Sequence, residues 1–98
     1  MDARSEQIYF KLCSDHISVE AIPRMKLKVD IAKMRNHPPQ DSKLIMWTPH
    51  FAIIRTQDGQ EITLRKDGRM IVRKSASESV AQQAAAELLG LIVKDFSA

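Results

Sequence analysis

Two Asp-Gly dipeptides, Asp58-Gly59 and Asp67-Gly68, each separate short alternating apolar runs, and a helix-patterned segment follows. Such turns are strong hairpin signals, and together they dictate three antiparallel strands and a covering helix. A two-residue loop at Asp67-Gly68 would set Leu64 against Ile71 and Ile62 against Arg73, putting an arginine on the apolar face. A three-residue loop over 66–68, with Gly68 left-handed, sets Leu64 against Met70 and Ile62 against Val72. Only the second register keeps one face apolar, because a one-residue slip turns every side chain over. The same loop length over 57–59 sets Ile54 against Ile62, Ala52 against Leu64 and Arg55 against Glu61. The common core face is then Ala52, Ile54, Ile62, Leu64, Met70 and Val72.

The helix is expected to cover that face. Ser75 with Glu78 reads as a capping box, and Ser77 is the alternative cap. Val80, Ala84, Leu88 and Leu91 or Ile92 recur at helical spacing, with Ala81 and Ala85 beside them. Gly90 either ends the helix or costs about 1 kcal/mol inside it.

The opposite face of the sheet presents Phe51, Ile53 and Arg55, then Glu61, Thr63 and Arg65, then Arg69, Ile71 and Arg73. An apolar centre is thus rimmed by four arginines. The segment 55–74 holds six basic and three acidic residues, and its excess equals the whole chain's formal +3. Two readings follow. The first half of the chain, or a second copy, covers the apolar centre while the arginines reach water. Otherwise Arg55, Arg65, Arg69 and Arg73 contact phosphates while Phe51 stacks.

In the first half, Ile8, Phe10 and Leu12 alternate with Tyr9, Lys11 and Cys13, predicting a strand. Ile17, Val19 and Ala21 predict a second, with Ser14-Asp15-His16 as the turn. Over 24–34 helix and strand compete. The strand reading gives the cleaner separation, with Met25, Leu27, Val29 and Ile31 on one face and Pro23 at its start. The segment 36–43, with Pro38-Pro39, is a loop between halves rather than domains. Residues 44–47 extend toward the next strand, and Pro49 forces a bend or an edge. The expectation is one α+β domain over 1–98: an antiparallel strand meander with Asp-Gly hairpins, packed by one C-terminal amphipathic helix. At this length about 60–68% of the unfolded surface is buried on folding.

Composition narrows function by exclusion. No apolar run approaches the ~20 residues of a membrane span, and the first six residues do not read as a signal peptide. The single Cys13 cannot form an intrachain disulfide, which suits a reducing, cytoplasmic location. There is no glycine-rich phosphate loop, Cys-x-x-Cys, His-Glu-x-x-His or Gly-x-Ser-x-Gly. His16, His37 and His50 have no ligand-like spacing, and Cys13 with His16 on a strand and turn points apart. No metal, cofactor or catalytic residue is expected. Trp47 reads as a core anchor or an interface residue.

Residues 49–90 run from Pro49-His50-Phe51 through Glu61-Ile62-Thr63-Leu64 and Asp67-Gly68-Arg69-Met70-Ile71-Val72 into a helix ending at Gly90. This stretch, about two fifths of the chain, resembles the C-terminal tail of the adenylyltransferases that activate ubiquitin-like sulfur carriers in thiamine and molybdopterin biosynthesis. More loosely, it is similar to half of the TATA-binding-protein fold. The adenylyltransferases' nucleotide loop and zinc cysteines have no counterpart here, and Arg73-Lys74 stands where that family often has glycine. The resemblance therefore implies a fold fragment and a sulfur-transfer neighbourhood without adenylating activity. Two functions are expected to compete: a non-enzymatic, self-associating protein-interaction module, and a nucleic-acid-binding module. The candidate face is the same for both: Phe51, Ile53, Arg55, Arg65, Arg69, Ile71 and Arg73.

Overall fold

The computed structural model describes residues 8–12, 18–39 and 41–97. Their order is β1 (Ile8–Leu12), β2 (Val19–Pro23), α1 (Ile31–Asn36), β3 (Lys43–Trp47), β4 (Phe51–Arg55), β5 (Glu61–Arg65), β6 (Met70–Arg73) and α2 (Glu78–Asp95). The strands form one antiparallel sheet in the order β1-β2-β6-β5-β4-β3. Both helices contribute to a single core on one side of it, giving the two-layer α+β architecture expected from the turns. The turn at Ser14-Asp15-His16, Cys13 and Ile17 lie outside the described residues.

Both Asp-Gly loops take the three-residue form. Gly59 and Gly68 have φ of +87° and +93°, conformations that glycine adopts without a Cβ clash. Ile54 faces Ile62, Ala52 faces Leu64, Leu64 faces Met70 and Ile62 faces Val72. All six predicted core-face residues are buried, and α2 closes over them with Ala81, Ala85, Leu88, Leu89 and Ile92. Small alanines at two of those positions let the helix approach the sheet closely.

In the helix the structure selects one of the two expected caps and one of the two expected fates of Gly90, and it shifts the expected core stripe. Its N-cap is Ser77, whose Oγ accepts from the Val80 N–H at 3.2 Å. Ser75 instead accepts from Nε2 of the buried Gln60. The core stripe is rotated by one residue from Val80 and Ala84 to Ala81 and Ala85, leaving Val80 38% exposed. The helix also runs through Gly90 to Asp95, since packing by Leu88, Leu89 and Ile92 outweighs glycine's propensity cost.

The strand expected over 24–34 does not form. Residues 24–30 carry the anticipated alternation, Val29 buried between exposed Lys28 and half-buried Asp30, but they join no ladder beyond a bridge from Val29 to Ser97. Asp30 then caps α1, its Oδ1 accepting from the Lys33 N–H at 3.0 Å. Helical capping thus overrides a period-two pattern whose last member, Ile31, is the first helical residue. Met34 becomes fully buried beneath α1.

Candidate functional site: the open sheet face

The helix-free face is built by strand pairing alone. Phe51 pairs with Arg65, Ile53 with Thr63, Arg55 with Glu61, Thr63 with Ile71 and Glu61 with Arg73. These opposed residues share a face, so all seven predicted site residues come together. The sheet extends the face further: Glu20 pairs with Ile71, Lys11 with Glu20, Met46 with Ile53 and Lys43 with Arg55. Three rows result across the sheet. One contains Tyr9, Ile22, Arg69, Arg65 and Phe51. The middle row contains Lys11, Glu20, Ile71, Thr63, Ile53 and Met46. The third contains Arg73, Glu61, Arg55 and Lys43. The outer rows are four residues apart along each strand, about 13 Å at strand rise.

No described element covers this face. Ile53, Thr63 and Ile71 are only half-buried by their own neighbours. The anticipated cover from the first half of the chain is absent among the described residues, because β1 and β2 extend the sheet instead.

The electrostatics are asymmetric. Glu61 accepts from Lys74 Nζ at 3.1 Å and from Arg55 Nη2 at 3.2 Å. The Lys74 ammonium, seconded by the Arg55 guanidinium, holds its carboxyl below the ordinary carboxylate value. Asp67 sits 3.2 Å from Arg65 Nη2 and 4.0 Å from Arg69 Nε, and its Oδ1 accepts from the Arg69 backbone N–H. Lys11, Lys43, Arg55, Arg65, Arg69, Arg73 and Lys74 face Glu20, Glu61 and Asp67: seven cations against three carboxylates, an excess of four. The chain as a whole carries +3, so the remainder of the molecule is net acidic by one.

At one end of the face, His50, Phe51, Thr63, Arg65, Lys66 and Asp67 line a shallow concavity of about 440 Å³. Thr48 shapes this end: its Oγ1 accepts from the N–H groups of His50 and Phe51, each at 3.1 Å. Trp47, expected as core anchor or interface residue, is 41% exposed and carries the Arg35 guanidinium 4.4 Å from its ring centroid. It lies on the helix side, opposite Ala52.

His37 and His50 are exposed and far apart in the chain, while Cys13 and His16 lie outside the described residues. No cluster of three or more His, Cys, Asp or Glu side chains able to hold a metal occurs among the described residues. No helix among them is long and apolar enough to cross a membrane. Lys43 and Met46 escape a sequence reading of the face, because a bulge between Leu44 and Met46 reverses the alternation of β3. No protein family, curated protein or solved structure was found to match the chain.

Proposed function

We propose that this chain is a non-enzymatic protein-interaction module whose open sheet face docks an acidic surface of a partner protein. The observation that carries the reading is the strip Ile71, Thr63, Ile53 and Met46, apolar but for the threonine hydroxyl, covered by no described element and flanked by Arg65 and Arg69 on one side and by Lys43, Arg55 and Arg73 on the other. An apolar strip with a polar, charged rim has the anatomy of an interaction surface. The excess of four positive charges selects an acidic partner and opposes face-to-face stacking of two copies. The resemblance of residues 49–90 to adenylyltransferase tails points to a sulfur-carrier system as the neighbourhood of that partner. The same cations and Phe51 also suit a phosphate backbone, which makes nucleic acid the competing partner.

The test is a titration of the full chain with a ubiquitin-like sulfur carrier from the same source and, separately, a short DNA duplex. Backbone amide shifts of Ile53, Thr63 and Ile71 are read at about 50 and 200 mM salt, a range over which phosphate contacts weaken strongly. Shifts on this face with the carrier, abolished by Arg65→Glu with Arg69→Glu, support the proposal. Salt-sensitive shifts with the duplex alone transfer the face to nucleic acid. Binding of either partner unchanged by the double variant removes the face from consideration.

A further inference from the structure

The sheet has two outer edges, and they differ. In β3, Lys43 and Met46 lie on the open face while Leu44 and Trp47 lie on the helix side, with Ile45 as the extra residue of a bulge. A straight strand laid along that edge could match one half of β3 but not both. In β1 the register with β2 is unbroken from Ile8–Pro23 to Leu12–Val19, and no described segment pairs with its outer side. Natural sheets blunt their edges with bulges, prolines or several charges. β3 carries such a bulge. β1 has neither bulge nor proline, and Lys11 is its only charge.

The five residues of β1 are self-complementary. We infer that β1 pairs antiparallel with β1 of a second copy about Phe10, joining two sheets into one continuous sheet. In that register Ile8 opposes Leu12 of the other copy on the helix side, Phe10 opposes Phe10, and Tyr9 opposes Lys11 on the open side. No like charges are directly opposed, and each Lys11 keeps Glu20 as its neighbour on the other flank. The side chains that a second copy would cover are ones that no other described segment encloses: Tyr9 at 51% and Leu12 at 39% exposure, with Phe10 partly buried. On α2, the flank away from the groove at Ile54 and Ile62 carries Gln82, Ala86 and Val93, with the Glu78 carboxylate accepting from Gln82 Nε2 at its N-terminal end. The interface rests on one short strand pair, so it lies at the small end of specific contacts and is concentration-dependent. The inference does not depend on the partner assigned to the open face. The two-fold axis would stand perpendicular to the sheet, placing both basic faces on the same side.

Sedimentation equilibrium of the full chain over micromolar concentrations tests this. The wild type should show a monomer–dimer equilibrium. Tyr9→Lys places lysine opposite lysine twice and should weaken the dimer by about tenfold, while circular dichroism and Tm stay unchanged. Adding Lys11→Glu to that variant sets each introduced lysine against the introduced glutamate of the other copy and should restore the dimer. Met46→Lys on the opposite edge should leave it intact. A wild type that is monomeric throughout overturns the inference, as does a dimer indifferent to Tyr9→Lys or broken instead by Met46→Lys.

Discussion

Gly68 and Gly59 occupy equivalent places in two similar loops, yet replacing each with alanine should have very different consequences. Both have positive φ, so a Cβ at either position costs about 1–2 kcal/mol in left-handed backbone strain. At Gly59 a Cβ would meet nothing within 4 Å, and the cost ends there. At Gly68 it would lie 2.9 Å from Leu27 Cδ1, 3.2 Å from Leu27 Cβ and 3.3 Å from Pro23 Cγ. The Leu27 tip can rotate away. Its Cβ and the proline ring are tied to backbone that is held nearby by the Val29 N–H bond to Lys66 O at 2.8 Å. Overpacking of that kind adds about 1–3 kcal/mol. A domain of this size loses about 4–8 °C of Tm per kcal/mol, so Gly68→Ala should depress Tm roughly twice as far as Gly59→Ala. Thermal and urea unfolding followed by circular dichroism measure both. Combining Gly68→Ala with Leu27→Gly, which removes both Leu27 atoms that the new Cβ would meet, should give less than the sum of the two single effects, by up to about 1 kcal/mol. Equal losses at the two glycines, or strict additivity with Leu27→Gly, would refute the close-packing account.

Other consequences can be checked by similar means. Ser77→Ala should cost about 1 kcal/mol through loss of the helix cap, independent of Gln60. Ser75→Ala should cost about 1–3 kcal/mol by stranding the buried Gln60 amide, a loss that disappears when Gln60 is also made apolar; urea midpoints for the variants decide this. Ala85→Leu, under α2, should lower stability by about 1–3 kcal/mol through overpacking, and an unchanged midpoint would show slack between helix and sheet. Glu61 has a folded-state pKa below its ordinary 4.5. Its stabilisation is therefore fully present above the unfolded value and lost as pH falls through the folded one. The Tm gap between wild type and Glu61→Gln should accordingly be largest near neutrality and shrink below pH 4.5; a pH-independent gap would contradict the ion-pair account.

How far the sequence is legible depends on the range over which each signal acts. Asp58-Gly59 and Asp67-Gly68 specify loop length locally, and loop length sets register, so the face residues and core residues of β4 to β6 follow from adjacent strands. The helix is legible as a helix. Its cap and rotation are not, because Ser75 and Ser77 differ only in what their hydroxyls reach, and Gln60 lies fifteen residues from Ser75. Residues 24–34 mislead because alternation up to Val29 is genuine, while a single side chain, the Asp30 carboxylate, turns the chain into α1. Pairing of β2 with β6 joins segments about fifty residues apart, so the reach of the open face to Tyr9 and Lys11 cannot be read locally. In β3, one inserted residue defeats any period-two reading beyond it.

That inserted residue also bears on growth. A sheet whose two edges both accept strands can add copies indefinitely, and fibres are the outcome. With β3 out of step across Leu44–Met46, β1 is the one outer strand among the described residues whose register is regular along its length. Joining through β1 then consumes the free edge of both copies, and assembly terminates at two rather than propagating. Deleting Ile45 would restore the alternation and, with it, the hazard of polymerisation.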